Sequence, residues 1–247
     1  MKATGITDIG KVRTTNEDNL LISCEIKPHY ILVADGMGGH AAGEIASSLA
    51  ASSIKEYIKN LNKEILDKND IEQAVLAANQ AIINRAACEP ELKGMGTTLT
   101  FAFIEPEKII IAHVGDSGAY LLDENSIRKI TKDHTYVQHL IDCGVIKTGV
   151  AEDYPFKNII TRALGMQNLE VDIYELNWVP GNIILLCSDG LSGYVNKEYM
   201  ERVLRKSENI EAAAKSLVDY ALESGGKDNI TIVIAKNIDR EVEPVDD

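Results

Sequence analysis

The fold is decided by the run HYILVADGMGG, from His29 to Gly39. Its first part is a continuous apolar stretch that ends at Asp35, which is the pattern of a strand buried on both faces. The glycines that follow predict a tight turn, and the alanine-rich segment from Ala41 onward predicts a helix. The carboxylate of Asp35 therefore stands at the end of a buried strand, where it is costly unless a cation or hydrogen bonds satisfy it.

Working outward, four more apolar runs predict buried strands: Thr97-Ile104, Lys108-Val114, Asn182-Ser188 and Asn229-Ala235. Helical spacing covers the consecutive segments 41–61 and 71–87, and later the segments 133–143, 197–205 and 210–223. The pair Asn69-Asp70 is a plausible N-cap for the second helix. Because strands and helices do not alternate, the order predicts paired helices over packed antiparallel sheets, an α+β fold, and not a parallel sheet.

The composition limits the possible partners. A chain of 247 residues with 38 acidic and 25 basic side chains has a formal charge of −13 and is long enough for one sizeable domain or two small ones. This charge repels polyphosphate and anionic lipid, so we expect neither nucleic acid nor membrane as a partner. No apolar signal-peptide core or membrane-length apolar stretch is found in the sequence, so a cytoplasmic protein is expected.

The cysteines and the absence of linkers bear on the redox state and the domain organisation of the chain. The four cysteines lie far apart without a C-x-x-C pair, which predicts reduced core residues and neither disulfides nor a zinc site. No repeat or Ser/Gly linker divides the chain, so we predict a single domain over 1–238. The acidic segment 239–247 is predicted to be a solvated, mobile tail.

Carboxylates recur at the ends of these predicted strands. Besides Asp35, they are Asp116, Asp189 and Asp228, with the pair Glu17 and Asp18 in a segment that also holds Arg13. Any one Asp-Gly pair alone is more often ordinary turn chemistry than a metal ligand. If the strand ends converge, however, the carboxylates repel one another until divalent cations neutralise them, and oxygen ligands favour Mg²⁺ or Mn²⁺ over zinc.

Two such ions about 3.5–4 Å apart lower the pKa of a bridging water and clamp a phosphoryl group for in-line attack. Arg13 supplies a planar fork that can grip two phosphate oxygens, although it could instead pair with Glu17 one helical turn away. A competing motif is Gly36-x-Gly38-x-x-Ala41, which matches a relaxed dinucleotide fingerprint. We reject it because Asp35 would face the pyrophosphate and the acidic ribose-binding position would fall within a helix.

Seven sequence blocks in one order resemble the metal-dependent, type 2C protein serine/threonine phosphatases, and in particular their soluble bacterial branch. The blocks are Asp8-x-Gly10-x-x-Arg13-x-x-Asn16-Glu17-Asp18, Asp35-Gly36-Met37-Gly38-Gly39-His40, Gly96-Thr97-Thr98, Val114-Gly115-Asp116-Ser117, Thr131-x-Asp133-His134, Cys187-Ser188-Asp189-Gly190-Leu191 and Asp228-Asn229-Ile230-Thr231. The resemblance implies a four-layer α/β/β/α sandwich of two antiparallel sheets flanked by helix pairs, with the metals at one rim.

The resemblance also implies a role for each matching residue. Two core ions, Mn²⁺ or Mg²⁺, would be bridged by Asp35. The Gly36 carbonyl would bind one of them, and Asp189 and Asp228 would complete the other. Glu17 or Asp18 would act through metal-bound waters, Asp116 with Asp189 would hold a weaker third ion, and Arg13 would hold the substrate phosphate.

Two features need separate expectations. The family usually has Arg where this chain has Gly118, so looser packing or altered electrostatics is expected beside Asp116. The segment from Asp133 to Gly165 is similar to the family's mobile flap, which tunes substrate choice.

The histidines differ in what is expected of them. His40 could donate a proton to the leaving group or contact phosphate, or have only a local role at a helix N-terminus; both possibilities remain open. His113, inside an apolar run, is more often a satisfied core residue than a catalyst, and His134 is expected to be structural.

The resemblance implies an enzyme that hydrolyses phosphoserine and phosphothreonine on cytosolic proteins in one step, using a metal-activated water. Its partners would be phosphorylated proteins and a cognate bacterial serine/threonine kinase, and we expect a monomer. No cysteine lies in a loop suited to a thiol nucleophile. The alternative is a catalytically inactive member that serves as a binding module, which retention of the acidic residues and Arg13 disfavours.

Overall fold

The computed structural model describes residues 1–38, 42–147, 154 and 159–238. Along the chain these residues form β1 (Lys2–Asp8), β2 (Asp18–Ser23), β3 (His29–Met37), α1 (Ala42–Leu61), α2 (Lys68–Cys88), a 3₁₀ turn (Pro90–Leu92), β4 (Gly96–Thr97), β5 (Leu99–Ile104), β6 (Lys108–Val114), β7 (Gly118–Leu122), β8 (Ile127–Lys129), α3 (Tyr136–Asp142), β9 (Asp172–Asn177), β10 (Ile183–Cys187), α4 (Asp189–Ser192), α5 (Lys197–Lys206), α6 (Ile210–Glu223) and β11 (Ile230–Lys236).

The strands form two sheets in which every pairing is antiparallel. One sheet has the order β1-β11-β10-β7-β8, and the other has the order β2-β3-β5-β6-β9, with β4 paired to β3. The predicted α+β class with antiparallel sheets is therefore confirmed. The connection between β6 and β7 crosses from one sheet to the other, which places its turn at the rim between them.

Alternation along the strands separates the core into layers. In β3, Leu32 and Ala34 pack with side chains of α1 and α2, whereas Ile31 and Val33 pack between the two sheets with residues of β10 and β11. Successive side chains of a strand point to opposite faces, so each buried strand serves two layers. A third cluster joins the other sheet to α5 and α6. The layers are thus helices, sheet, sheet and helices, as the resemblance implied.

The second helix starts earlier than the sequence predicted. Asp67 is its N-cap: the Asp67 carboxylate accepts from the backbone N–H of Asp70 at 2.8 Å, and the Asp70 carboxylate accepts from the N–H of Asp67 at 3.2 Å. This reciprocal capping box satisfies two N–H groups of the first turn. The predicted cap at Asn69-Asp70 was wrong because Asp70 is the third helical residue, where its carboxylate supports the cap.

Several strands carry too weak an apolar signal to be predicted individually. β1, β8 and β9 lie at the edges of the two sheets, and β1 and β9 are only partly buried. Edge strands need fewer apolar residues because one side of the strand lacks a neighbour. β7, which is fully buried, is only five residues long.

The cysteines are free, as predicted, but they are not all in the core. Cys187 is buried and Cys24 is intermediate, whereas Cys88 and Cys143 are exposed. The expectation of core positions was therefore wrong for the last two, because Cys88 ends α2 and Cys143 caps the end of α3.

Some predictions fall beyond the described part of the chain. His40, most of the flap-like segment between α3 and residue 159, and the acidic tail 239–247 lie outside the described residues. Among the described helices, each falls short of the length or apolar character that crossing a bilayer requires.

Candidate active site

The carboxylates that ended the predicted strands meet at one rim of the sandwich. Asp35 of β3 is directly opposite Asp18 of β2 in the antiparallel ladder. Asp116 lies in the β6–β7 crossing, Asp189 follows β10, and Asp228 precedes β11. The charges of Asp18, Asp189, Asp116 and Asp228 all act on Asp35, so the two sheets contribute to a single electrostatic cluster.

Thr98 holds the backbone of Asp35 on both sides. The N–H of Asp35 donates to Thr98 Oγ1 at 2.9 Å, and the N–H of Thr98 donates to the carbonyl of Asp35 at 2.9 Å. The Thr98 hydroxyl also shares a 2.7 Å hydrogen bond with the hydroxyl of Ser117, the residue after Asp116. All three residues belong to sequence blocks quoted above, but their part in aligning Asp35 with Asp116 was not foreseen.

Gly36 is required by packing as well as by any metal role. A Cβ atom at this position would collide with the backbone carbonyls of Gly43 in α1 and of Glu17. The N–H of Gly36 donates to the same Glu17 carbonyl at 3.0 Å. Any side chain here would therefore push the start of α1 and the Glu17 segment away from the rim.

Two buried carboxylate oxygens at the rim have no partner among the described residues. Ser188 Oγ donates to Asp18 Oδ2 at 2.8 Å, but Asp18 Oδ1 is buried without a hydrogen bond, and so is Asp116 Oδ1. Burial raises the pKa of Asp18 to about 6 despite its hydrogen bonds from Ser188 and Thr231. Burial, with the charges of Asp189 and Asp133, raises the pKa of Asp116 to about 7.

Burial and neighbouring charges also act on the carboxyls of Asp35 and Asp189. Burial, followed by the charges of the neighbouring carboxylates, raises the pKa of Asp35 well above its ordinary value. Burial and the charge of Asp228 raise the pKa of Asp189, although its carboxylate receives a hydrogen bond from Asp35. Neighbouring carboxyls of this kind oppose each other's ionisation.

The raised pKa values of these carboxyl groups show that their ionised forms are unfavourable without neutralisation. The ionised carboxylates repel one another, and either protons or cations must neutralise them. The donors are all oxygen atoms, which suits hard divalent ions. The residues present therefore fit Mg²⁺ or Mn²⁺.

Side chains alone do not complete a metal site. In the part of the chain that the structure describes, no three His, Cys, Asp or Glu side chains form a group that could by itself hold a metal ion. Ions of the magnesium type keep several water ligands in proteins. An ion at this rim would therefore bind through a few carboxylates, with water or backbone oxygen atoms filling the remaining positions.

Arg13 is paired with Asp228 and not with Glu17. Arg13 Nε lies 2.8 Å from Asp228 Oδ1, and Nη2 donates to Asp228 Oδ2 at 2.9 Å. The hydrogen bond that Arg13 donates to Asp228 is the main cause of the raised pKa of Arg13. The Arg13 side chain remains 48% exposed, so the rest of its fork can reach a ligand from solvent. Burial raises the pKa of Glu17, and the Arg13 charge opposes this.

Asn229 is a site residue whose role the sequence analysis missed. Its Oδ1 accepts from the N–H of Glu17 at 2.9 Å, and its Nδ2 donates to the carbonyls of Ile9 at 3.0 Å and Thr15 at 2.9 Å. One buried amide thus holds both ends of the β1–β2 loop, which carries Arg13, beside Asp228. In the sequence, the signal of this role is an Asn directly after a predicted ligand.

The structure places two of the histidines discussed above, His113 and His134. His113 is fully buried, with its ring nitrogens 3.0 Å from Thr100 Oγ1 and 3.1 Å from the Lys132 carbonyl, which confirms a satisfied core residue. His134 accepts from the N–H of Gly115 at 3.0 Å through Nδ1 and lies next to Asp172, in keeping with the structural role predicted for it.

The looser packing expected at Gly118 is not found. The ring of Tyr120 covers Gly118, because a Cβ atom there would lie 2.6 Å from Tyr120 Cε2. Lys129 lies 5.9 Å from the centre of that ring and pairs with Asp133 at 2.6 Å. A cation is therefore still present near Asp116. The charge of Lys129 lowers the pKa of the Asp116 carboxyl, whereas burial raises it.

Two comparisons with known protein sequences agree with each other. The family model described as protein phosphatase 2C matches residues 11–223. The serine/threonine phosphatase stp of Listeria welshimeri is 37% identical over 237 residues, covering 93% of each chain.

Solved structures agree with the sequence comparisons. The crystal structure of the Mycobacterium tuberculosis serine/threonine phosphatase PstP/Ppp has a TM-score of 0.89 at 36% identity, with 96% of this chain and 99% of that chain covered. The catalytic domain of PstP in complex with two manganese ions has a TM-score of 0.86 at 36% identity, with 96% and 98% covered.

Proposed function

Since the chain belongs to the protein phosphatase 2C family, we propose that it hydrolyses phosphoserine and phosphothreonine on cytoplasmic proteins. The observation that carries the proposal is the group of buried carboxylates around Asp35, whose unpartnered oxygens lie at the same rim as the half-exposed guanidinium of Arg13. Negative charge that needs a divalent cation, beside a fork suited to phosphate, is the pairing that phosphate monoester hydrolysis requires.

We assign the cation ligands to the carboxylates of the rim. Asp35, Asp189 and Asp228, with the backbone of Gly36, would hold two Mn²⁺ or Mg²⁺ ions, with Glu17 or Asp18 contacting them through water. Asp116 would hold a weaker third ion with Asp189. Divalent cations bound here supply a water of lowered pKa and neutralise charge on the phosphoryl oxygens.

The residues of the chain itself orient the substrate. Arg13 has two of its nitrogens engaged by Asp228, while Nη1 makes no hydrogen bond within the described residues. Asp228 therefore holds the guanidinium plane in place, and the remaining N–H groups are available to phosphate oxygens. A fixed fork loses less rotational freedom on binding than a free side chain.

The remaining assignments follow from the same reading. The domain would span 1–238 and be followed by a tail at 239–247. Within the domain, the flap-like segment 133–165 would lie beside the cleft. The protein would act as a cytoplasmic monomer. His40 would lie near the leaving group. The opposing enzyme would be a bacterial serine/threonine kinase. A comparison of phosphopeptides from a deletion strain and the parent strain would identify the substrates.

The direct test is hydrolysis of p-nitrophenyl phosphate and of a phosphothreonine peptide, with Mn²⁺ added or with EDTA. We expect Mn²⁺-dependent release of phosphate from both substrates, and loss of that release with EDTA. Full activity in EDTA would contradict the metal-dependent mechanism. Absence of hydrolysis by the Mn²⁺-loaded protein would instead support the inactive binding module.

A further inference from the structure

Two lysines beside Arg13 make no ion pair within the described residues. Lys11 and Lys227 are both exposed, and neither has a carboxylate partner there, although the chain has 38 acidic residues and a net charge of −13. Thirteen other described lysines and arginines form ion pairs, whereas eight more, among them Lys197 and Lys206, also lack a carboxylate partner within the described residues. What distinguishes Lys11 and Lys227 is their place, since they lie next to the Arg13–Asp228 pair in sequence and add two positive charges there.

The backbone brings these lysines together although they are far apart in sequence. The N–H of Lys11 donates to the carbonyl of Gly226 at 2.7 Å, and Lys11 Cγ lies 3.4 Å from the position a Cβ would take at Gly226. Gly10 has a φ of +78°, and a Cβ there would collide with the carbonyl of Asp228. The β1–β2 loop thus lies tightly on the segment before β11, which brings the backbone of Lys11 next to that of Lys227, and we call Lys11, Arg13 and Lys227 the basic ridge.

An apolar contact surface accompanies this ridge. Val12, between Lys11 and Arg13, is 65% exposed, and Ile9 is 40% exposed. A single exposed apolar residue needs no explanation, but two of them next to Lys11 and Arg13 form a surface of mixed character. Such a surface suits a peptide segment better than a small inorganic ion.

We propose that the basic ridge and Val12 dock the substrate chain and select phosphorylated segments with acidic residues close to the phosphoserine or phosphothreonine. The proposal rests on the proposed function, because Arg13 must hold the phosphate. An extended peptide advances about 3.3–3.6 Å per residue, so residues one to three positions from the phosphoresidue reach lysines adjacent to Arg13. Opposite charges across an interface mainly set partner choice and association rate.

The ridge also explains how an acidic protein accepts such substrates. Carboxylate-rich segments are repelled by a net charge of −13, and the carboxylates of the rim add to that repulsion. Lys11 and Lys227 compensate only where the substrate enters. Basic substrates, by contrast, would be attracted to the surface at large without being aligned at Arg13.

The test uses two phosphothreonine peptides that differ only in having Asp or Lys at the flanking positions. The wild-type chain is compared with the double variant Lys11→Glu/Lys227→Glu. A matched control, Lys197→Glu/Lys206→Glu, makes the same change of net charge at exposed residues of α5. The measured quantity is the ratio of kcat/KM for the two peptides at low salt, because a general loss of activity cancels in that ratio.

For the wild type we expect the acidic peptide to be preferred by about three- to tenfold, as two screened charge contacts allow. The preference should disappear in the ridge variant, persist in the α5 control, and shrink with added salt. An active wild-type chain with no preference, or a ridge variant that keeps it, would overturn the proposal. Failure to hydrolyse even p-nitrophenyl phosphate with Mn²⁺ would instead contradict the proposed function.

Discussion

The guanidinium of Arg13 and the carboxylate of Asp228 face each other through two contacts, Nε to Oδ1 at 2.8 Å and Nη2 to Oδ2 at 2.9 Å. Both residues were expected at the site, but in different roles: one on phosphate and the other on metal. Their pairing means that the residue proposed to hold phosphate is oriented by a residue proposed to hold a cation. Occupancy of the metal site and phosphate binding should therefore influence each other.

The first prediction concerns Arg13. Arg13→Ala should raise KM for a phosphopeptide by about tenfold or more, since hydrogen bonds to charged groups contribute about 1.5–3 kcal/mol. Arg13→Lys should restore only part of this, because an ammonium group cannot form the planar fork. Calorimetric Mn²⁺ affinity should be equal or higher in Arg13→Ala, since Asp228 is then released. An unchanged KM would remove Arg13 from phosphate binding.

The second prediction concerns Asn229. Asn229→Ala leaves the N–H of Glu17 and the carbonyls of Ile9 and Thr15 without their partner, at a cost of about 1–3 kcal/mol for each group that stays buried. We expect a lower melting temperature and a higher KM, because the loop carrying Arg13 loosens. The control is Asn237→Ala, which loses one hydrogen bond, to the Trp178 carbonyl. Equal effects of both variants on KM would contradict the role of Asn229.

The third prediction concerns pH in the metal-free protein. The folded-state pKa values of Asp18 and Asp116, about 6 and about 7, lie above the ordinary value of 3.8. Folding therefore favours the protonated groups, so their contribution to stability is greatest below pH 3.8 and is lost as pH rises through 6 and 7. With EDTA present, the loss of this contribution should lower the melting temperature as pH rises from 5 to 7.5.

Two additions make the pH experiment specific to the rim. Saturating Mn²⁺ should recover the loss at pH 7.5, since an ion at 100 times its dissociation constant stabilises the folded state by about 2.7 kcal/mol. Asp116→Asn should flatten the pH dependence measured in EDTA because a carboxyl whose pKa is raised to about 7 is removed. A melting temperature that neither Mn²⁺ nor Asp116→Asn alters would show that the rim carboxylates bind no cation.

The fourth prediction separates the inner ligands from the outer one. Asp35→Asn should abolish tight Mn²⁺ binding and activity together, because a neutral amide cannot bridge two divalent cations. Asp116→Ala should keep near-normal calorimetric binding of the first two ions, while half-maximal activity moves to higher Mn²⁺ concentration. Equal loss of high-affinity Mn²⁺ in both variants would make Asp116 an inner ligand.

The central strands and the carboxylates at their ends could be predicted from local sequence alone. A buried strand needs a continuous apolar run, and the residues 29–35 and 108–114 show it without reference to any partner. The edge strands β1 and β9 could not be predicted as readily, because their stability comes from the neighbouring strand and not from their own apolar content. The cap of α2 was misplaced for a related reason, since either of two nearby aspartates fits the pattern.

What only the tertiary structure decided is which of these residues face one another. Arg13 pairs with Asp228 across 215 positions of the chain, and Asn229 reaches the carbonyl of Thr15 across 214. Periodicity and propensity act over a few residues, whereas these contacts exist because β1 and β11 are adjacent in one sheet. The sequence thus determined the chemical groups of the site, and the pairing of strands determined that the arginine is held by an aspartate.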